Sequence, residues 1–348
     1  MRGRRSRLVL AATAALLVLF GGGTAAATPR PSQPAPATGE FAPLDRPGPR
    51  LSVPAKQLAK SLLCNGPLAG IGADPILLVP GTTVTPQVNF DWNYQRAFDQ
   101  QGRRWCSVTL PYDATGDIQV AGEYVVHALR TMSKQSGGQV DVVGWSQGGM
   151  VPRWALRFWP DTRPLVDDLV GLSPSNHGTV VADLACQRPC NPSFHQQASR
   201  SRFLQALNSG TETFAGIDYT AAYTQTDQIV VPNAGPAPSS ALRPGPGRIT
   251  NIALQTVCPT NVADHFAIGS YDAVGYAIVV DALDHDGPAD PARIPRTVCA
   301  QPFQPGVNPV TFPADYARLL TYAGNPQGNA PDVPREPPLK PYVFAGRR

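Results

Sequence analysis

Apolar residues occur in two kinds of segment that alternate through the middle of this chain. Short continuous apolar runs bounded by Pro or Gly are typical of strands buried on both faces of a sheet. Longer segments, in which apolar residues recur every three or four positions, predict helices. The predicted strands are 76–79, 105–110, 140–143, 165–172, 219–225 and 249–254, and the predicted helices are 53–63, 92–101, 117–133, 150–159, 203–207, 271–283 and 316–322.

The alternation of strands and helices predicts an α/β fold, a mostly parallel sheet with helices on both faces. Ligands of such sheets bind beyond the carboxyl ends of the strands. Three loops should lie at that edge, namely those that follow residues 79, 143 and 172. Residues 179–210 have the least regular pattern, and we expect them to form a small lid-like insertion over the same edge.

A serine follows the predicted strand 140–143 in the segment Gly144-Trp145-Ser146-Gln147-Gly148. Gly-x-Ser-x-Gly between a strand and a helix is typical of the nucleophile elbow of α/β-hydrolases. Glycine is needed where the strand and the helix approach each other closely. The helix also directs backbone N–H groups and its positive end toward the serine. We therefore predict that Ser146 is a nucleophile.

A serine nucleophile needs a general base, and the base needs an acid that orients it. In α/β-hydrolases the acid and then the histidine follow the serine along the chain. Among five histidines, His265 follows the last predicted strand and is the predicted base, with His285 as the alternative. Asp227 follows the strand 219–225 and is the predicted acid. Asp264 ranks second, because adjacent residues rarely direct one side chain at the other's ring.

The tetrahedral intermediate of acyl transfer carries a negative oxygen that preorganised hydrogen-bond donors stabilise. In this fold one donor is the residue after the nucleophile, and another lies on the loop after an early strand. Gln147 and Thr82 hold these two positions, and the Thr82 hydroxyl is a further candidate donor. We expect no metal and no organic cofactor in this chemistry.

The N-terminus has the pattern of a secretory signal peptide. Four arginines precede an apolar run over 8–20, and the small residues Ala25-Ala26-Ala27 follow. The run is too short to span a bilayer comfortably, and an uncleaved anchor is the alternative. Prolines concentrate toward both ends of the chain. We predict a signal peptide at 1–27, a disordered Pro-rich linker at 28–50, a catalytic domain at 51–325 and a Pro-rich tail at 326–348.

The charge balance argues against nucleic acid as a partner. The formal net charge is +4, but four of the 29 Lys and Arg lie in the predicted signal peptide, which leaves 25 against 25 Asp and Glu. A near-neutral mature chain has no electrostatic reason to bind nucleic acid. We expect a monomer in the extracellular space or cell envelope.

Six cysteines in an exported chain indicate three disulfides, although the sequence alone allows 15 pairings. Cys186 and Cys190 are separated by three residues, which favours a local disulfide. A metal site would need further ligands at short spacing, and the sequence shows none beside this pair. The remaining cysteines are Cys64, Cys106, Cys258 and Cys299.

Four segments together resemble the family of secreted lipases similar to Candida antarctica lipase B. They are Leu77–Thr82, Trp145–Gly149, Thr226–Val230 and Asp264-His265, and the resemblance extends over roughly residues 55–300. It implies an α/β-hydrolase fold and hydrolysis of carboxylic esters, including triacylglycerols. It also implies the triad Ser146, Asp227 and His265, an oxyanion hole at Thr82 and Gln147, and the disulfides Cys64–Cys106 and Cys258–Cys299.

The chain departs from the family pattern in the pocket and in the insertion. Gly144 stands where the fungal enzyme has threonine, and Ser175 stands where it has an acid near the site. The Cys186–Cys190 pair is additional, and the family's C-terminal disulfide is missing. These differences concern the polarity of the acyl pocket and the behaviour of the lid-like insertion.

The sequence therefore predicts a secreted serine ester hydrolase, either a triacylglycerol lipase or a carboxylesterase. Its partner would be a lipid or another ester, in solution or at a lipid–water interface. An acyltransferase or a polyester hydrolase would use the same site. The alternative from another class is a catalytically silent hydrolase fold that acts as an envelope-associated binding protein. Loss of a triad residue would favour that alternative, but the sequence contains candidates for all three triad residues.

Overall fold

Seven strands form one sheet in the order β1-β3-β2-β4-β5-β6-β7. The computed structural model describes residues 40–324 and 328–346, so the predicted signal peptide lies outside the described residues. Each neighbouring pair is parallel except β1 and β3, which are antiparallel. The strands are β1 Leu62–Cys64, β2 Ile76–Val79, β3 Trp105–Val108, β4 Val140–Trp145, β5 Val166–Leu172, β6 Asp218–Tyr223 and β7 Arg248–Ala253.

Helices cover both faces of the sheet, as the alternating pattern predicts. Leu77 and Val142 belong to a core under α4, α5 and α8, whereas Leu78 and Val143 belong to a second core under α3 and α11. The helices are α1 Ala55–Ser61, α2 Pro86–Phe90, α3 Tyr94–Gln100, α4 Ile118–Ser136, α5 Gln147–Phe158, α6 Val180–Ala185, α7 Pro192–Gln197, α8 Arg202–Leu207, α9 Leu254–Val257, α10 His265–Ile268, α11 Ala273–Asp284 and α12 Phe312–Gly324.

The longest helix, α4, has both of its ends encoded locally. The Asp117 side chain accepts a hydrogen bond from the N–H of Gln119, and Gly137 ends the helix in the left-handed region at φ 77°. The stretch His265–Asp284 is long and apolar enough to cross a membrane, but 67% of its apolar 18-residue window is buried inside the fold. That burial is the expected state of a core helix.

Two predicted helices differ from the structure. The predicted helix 53–63 ends at Ser61, because residues 62–64 pair with β3 as an antiparallel edge strand. The predicted helix 92–101 begins later, at Tyr94, and a separate helix, α2, precedes it. Thr85 and Asn93 each accept a hydrogen bond at the start of α2 and α3 respectively, so each short helix has its own N-terminal cap.

The prediction of a disordered linker over 28–50 is wrong for the part that the structure describes. Phe41 is buried, and the backbone oxygens of Ala42 and Pro49 accept hydrogen bonds from Arg157 and Trp159. This extended Pro-rich segment is ordered because two buried side chains, Arg157 in α5 and Trp159 just after it, donate hydrogen bonds to its backbone oxygens. Residues 28–39 lie outside the described residues.

The C-terminal tail is likewise part of the domain. The indole N–H of Trp154 donates to the hydroxyl of Tyr342, and Val343 is fully buried. Phe344 pairs with Phe41 in an antiparallel bridge. The two extended segments therefore cover α5 together, and the catalytic domain does not end at residue 325.

The insertion over residues 179–210 contains α6, α7 and α8. Its cysteine loop is held by the C-terminal segment, because Cys190 and Val333 exchange two backbone hydrogen bonds. Asn191 also donates to the backbone oxygen of Ala330 at 2.6 Å. The insertion is thus attached to the body of the domain at its cysteine loop.

Candidate active site

Ser146 stands at the junction of β4 and α5, in a strained backbone conformation with φ 55° and ψ −127°. A β-carbon at Gly144 would lie 2.1 Å from the carbonyl oxygen of Gly148, and one at Gly148 would lie 2.2 Å from that of Val79. Only glycine fits at these two positions, so the sequence pattern follows from the closeness of the turn. The N–H of Ser146 donates a hydrogen bond to the backbone oxygen of Leu172 on β5 at 2.8 Å.

His265 begins α10, and its ring is held by Asp227. The distance from His265 Nδ1 to Asp227 Oδ2 is 3.0 Å, and both side chains are buried. A neutral imidazole that donates from Nδ1 leaves Nε2 free to accept a proton. Ser146 and His265 line the same cavity.

The surroundings of Asp227 stabilise its ionised form. Its Oδ1 accepts hydrogen bonds from the N–H groups of Ile229 and Val230, and its Oδ2 also accepts one from Asn233. Burial alone would raise the pKa of Asp227. The charge that His265 carries when protonated, the hydrogen bond from His265 and those from the N–H groups of Val230 and Ile229 outweigh burial and lower that pKa.

The second-ranked acid, Asp264, has a different position. Its Oδ1 accepts the N–H of Ala267 and caps α10, while its Oδ2 accepts from Gln228 at 3.3 Å. The carboxylate next to His265 in sequence therefore bonds to backbone and amide groups rather than to the imidazole.

The other four histidines bond to groups outside the cavity. His285, the alternative base, contacts the backbone oxygen of Asp281 at the end of α11. The remaining three are His127, which contacts Thr131, His177, which contacts Glu212 and Ser239, and His195, which contacts Val333.

Thr82 and Gln147 lie side by side next to Ser146. The Thr82 hydroxyl donates to Gln147 Oε1 at 3.0 Å, and Gln147 Nε2 donates to the backbone oxygen of Ala114. Gln147 is the first residue of α5, so its backbone N–H has no intrahelical acceptor. Its N–H is therefore available to an anion at the helix N-terminus.

Sequence analysis missed Gln197, which joins this group from α7. Its amide nitrogen donates to Thr82 Oγ1 at 3.1 Å and to Gln147 Oε1 at 2.9 Å. Ser175 donates to the amide oxygen of Gln197 at 2.8 Å. No local pattern marks Gln197, because its partners lie 50 and 115 residues away in the sequence.

Trp145 lines the cavity beside His265. Its indole N–H donates to the backbone oxygen of His265 at 2.9 Å, and the two rings are 5.3 Å apart. β-Carbons at Gly81 and Gly269 would lie 2.7 and 2.2 Å from this indole. The two glycines therefore permit the position of Trp145.

The cavity has a volume of about 170 Å³ and a mostly apolar wall. Thr82, Ser146, His265 and Gln197 place polar groups on it. The apolar part of the wall is formed by Trp145, Val181, Ala182, Phe194, Ile229, Val230, Phe266 and Ala323. A mostly apolar cavity with a few convergent polar groups is typical of a small-molecule site.

The six cysteines form three disulfides, and none of the described cysteines is free. The local pair lies in the insertion, and the other two pairs are those that the family resemblance implies. They are Cys64–Cys106, Cys186–Cys190 and Cys258–Cys299.

Comparison with known proteins gives a consistent result. The family described as Lipase (class 2) matches residues 74–243. Lipase B of Pseudozyma antarctica is 36% identical over 222 residues, which are 62% of this chain and 64% of that lipase, slightly less than two thirds of its length.

The structural matches extend over more of the chain. The crystal structure of Aspergillus fumigatus lipase B has a TM-score of 0.79 and 30% identity, covering 90% of this chain and 77% of that one. The propeptide form of a Bacillus licheniformis lipase, with 18% identity, 66% and 54% coverage and a TM-score of 0.51, supports the fold alone. This chain therefore belongs to the lipase family of α/β-hydrolases.

Proposed function

We propose that the protein is a secreted serine ester hydrolase that acts through an acyl-enzyme on Ser146. The observation that carries the proposal is the 3.0 Å contact between His265 and Asp227 at the wall of the cavity that Ser146 lines. Nucleophile, base and acid stand in the chain order of α/β-hydrolases. The family assignment supports ester hydrolysis as the reaction class.

In the acylation step, His265 Nε2 takes the proton of the Ser146 hydroxyl as its oxygen attacks the ester carbonyl. Asp227 accepts the Nδ1 hydrogen bond and stabilises the imidazolium that forms. The imidazolium then gives its proton to the departing alcohol, and the acyl group remains on Ser146. Water, deprotonated by His265, attacks the acyl carbon. As the bond to Ser146 breaks and the acid is released, the His265 imidazolium returns the proton to the Ser146 oxygen.

The oxyanion of each tetrahedral intermediate would be held by the N–H of Gln147 and by Thr82. Both residues border the nucleophile, and Gln147 lies at the positive end of α5. A single preorganised donor of this kind contributes about 10²–10³ in rate. No step requires a metal or an organic cofactor.

The wall of the cavity favours an apolar acyl or alcohol group. Val181, Ile229 and Phe266 offer no hydrogen bonds to a substrate, so binding would depend on burial of hydrocarbon. Aliphatic esters, among them triacylglycerols, fit this wall better than charged esters do. We assign the substrate to this class.

Secretion is supported by the composition of the first 27 residues and by the three disulfides, which persist in oxidising compartments. We propose that the mature chain acts outside the cytoplasm as a monomer.

The test measures hydrolysis of p-nitrophenyl esters from acetate to palmitate, below and above the solubility limit of each ester. Wild type should be active, and Ser146→Ala should be folded but lose nearly all activity, whereas Ser136→Ala at the end of α4 should retain it. A fluorophosphonate probe should label Ser146 in wild type. An inactive, unlabelled wild type would favour a silent binding protein, and product formed mainly with added alcohol would favour an acyltransferase.

A further inference from the structure

A fully buried asparagine connects the loop of the proposed oxyanion hole with the helix of the proposed base. Asn89 is the fourth residue of α2 and is 0% exposed. Its Oδ1 accepts a hydrogen bond from the N–H of Gly81 at 3.1 Å, and its Nδ2 donates one to the backbone oxygen of Gly269 at 3.2 Å. Gly81 directly precedes Thr82, and Gly269 ends α10, the helix that His265 begins.

The carboxamide of Asn89 matches the two backbone groups that it joins. The N–H of Gly81 can only donate, and the backbone oxygen of Gly269 can only accept. A carboxylate would have no donor for Gly269. An apolar side chain would leave both backbone groups unpaired in the core, where unpaired polar groups are costly. The chemistry of position 89 therefore follows from partners that lie 8 and 180 residues away in the sequence.

The position of Asn89 is itself fixed by α2 and by the core. Its N–H donates to the backbone oxygen of Thr85 at 3.0 Å, and its backbone oxygen accepts a hydrogen bond from the side chain of Asn93 at 2.8 Å. The neighbouring residues Val88 and Phe90 belong to the core under α3 and α11. Asn89 is thus held by the body of the domain rather than by the two segments that it joins.

These two segments also meet at the indole of Trp145, the residue before the nucleophile. A β-carbon added to Gly81 would lie 2.7 Å from the six-membered ring of the indole, and one added to Gly269 would lie 2.2 Å from the five-membered ring. The indole N–H donates to the backbone oxygen of His265 at 2.9 Å. Asn89 therefore completes a closed set of contacts that joins the oxyanion-hole loop, the nucleophile and the base.

We propose that Asn89 is a positioning residue that fixes the distance between the oxyanion hole at Thr82 and the base His265. This inference rests on the proposed function, because it concerns the geometry of the same site. Oxyanion donors stabilise the transition state only when they lie at hydrogen-bond distance from the developing charge. A misplacement of about 1 Å costs about a hundredfold in rate. Asn89 acts on this geometry through Gly81 and Gly269.

The first test compares two leucine variants of the mature, disulfide-bonded enzyme on a soluble p-nitrophenyl ester. Asn89→Leu retains a similar volume but loses both hydrogen bonds, so kcat should fall at least about tenfold while KM changes less than about threefold. Asn65→Leu is the matched control. The amide of Asn65 likewise accepts from a backbone N–H, that of Trp105 at 3.1 Å, and donates to a backbone oxygen, that of Arg103 at 3.0 Å. It contacts the amino end of β3, away from the edge that carries Ser146, so kcat should be retained.

Asn89→Asp gives a readout that a loss of packing would not change. The ionised carboxylate accepts from Gly81 but cannot donate to Gly269, whereas the protonated carboxyl group can do both. Burial raises the pKa of a carboxyl group, so protonation at this site occurs well above the usual range. The ratio of the kcat of Asn89→Asp to that of wild type should therefore rise at least about fivefold as the pH falls from about 9 to about 6. A ratio that does not change with pH would show that Asn89 acts through packing.

Inhibition by an alkyl trifluoromethyl ketone separates failure of this inference from failure of the proposed function. The Ser146 oxygen would bond to the ketone carbon, its proton would pass to His265, and the adduct would carry an oxyanion. Ki for Asn89→Leu should therefore rise by about the factor by which kcat falls. Absence of fluorophosphonate labelling of wild type would overturn the proposed function itself. A labelled, active wild type with unchanged kcat in the folded Asn89 variants would overturn the positioning role alone. If Asn89→Leu does not fold, Asn89→Asp decides the question, because it retains the hydrogen bond to Gly81.

Discussion

The side-chain amide of Gln197 donates to the hydroxyl oxygen of Thr82 at 3.1 Å. Its rotation is restricted by Ser175, which donates to the other end of the same amide. Gln197 thus links the insertion to the two residues that we propose as the oxyanion hole. It is a positioning residue, since it acts through Thr82 and Gln147.

Replacement of Gln197 by Leu should lower kcat about tenfold and leave KM within about twofold, because oriented donors act mainly in the transition state. Steady-state kinetics on a soluble p-nitrophenyl ester measures both constants. Gln205→Leu in α8, where the side chain contacts only surface groups, is the matched control. A rise of about tenfold in KM without loss of kcat would instead assign Gln197 to substrate binding.

Asp227→Asn should reduce kcat by about 10⁴ while the fold is retained, because an amide cannot stabilise the imidazolium. Asp264→Asn should retain near-wild-type kcat, since asparagine also caps a helix N-terminus. Circular dichroism and kcat measured on both variants separate the two aspartates. Comparable loss of activity in both would contradict the proposed acid.

Gly269→Ala should impair activity through Trp145. The added β-carbon would lie 2.2 Å from the indole, which is fixed by its hydrogen bond to His265. We expect a loss of stability of about 1–3 kcal/mol from overpacking, with a fall in kcat as His265 is displaced. Gly324→Ala has no neighbour within 4 Å and serves as the control. Retention of wild-type kcat by Gly269→Ala would show that the indole can move freely.

Glu212 should make stability depend on pH in the acid range. Burial alone would raise its pKa, but a hydrogen bond from His177, the charge of Arg153 and the N–H of Arg243 lower the pKa of Glu212 to about 2. The ionised group therefore contributes about 3 kcal/mol of stability. This contribution is complete above the unfolded pKa, near 4.5, and is lost as the pH falls through about 2.

Urea unfolding of wild type and Glu212→Gln at pH 7 and pH 3 tests this contribution. The difference between the two proteins should shrink at pH 3, because the unfolded carboxyl then binds a proton that the folded one does not. A difference that stays constant with pH would mean that Glu212 acts through packing rather than charge.

The two classes of disulfide should differ in their effect on unfolding. Cys64–Cys106 closes a loop with a sequence separation of 42, and Cys186–Cys190 one with a separation of 4. The chain-entropy relation predicts losses of about 4 and about 2 kcal/mol when each pair is replaced by alanines. Denaturant unfolding of the two double variants measures both losses. Equal losses would point to native-state packing as the dominant contribution.

The elements with strong local signals could be predicted from the sequence. The strands at 76–79 and 140–143 are predicted from apolar runs. The turn around Ser146 has glycines at 144 and 148 because a β-carbon at either position would collide with the backbone. The candidate acid and base follow from their order after strands. These signals lie within a few residues of the feature that they predict.

What could not be predicted depends on contacts between distant segments. The edge strand at 62–64 exists only because it pairs with β3, and the segment at 41–50 is ordered by donors of Arg157 and Trp159. Gln197 contacts Thr82 only because α7 packs beside the loop after β2. The sequence also does not show the irregular register between β4 and β5, in which residues 167 and 168 both lie opposite Asp141.

The pairing of Phe41 with Phe344 has a consequence for how the chain can be connected. Ala42 N–H donates to the backbone oxygen of Val343 at 2.8 Å, so the two outer segments meet edge to edge over α5. A few added residues could join them covalently, and the backbone could then be opened at an exposed turn such as that of Gly216. A circular permutant that joins these two segments and opens the chain at such a turn should therefore adopt the same fold.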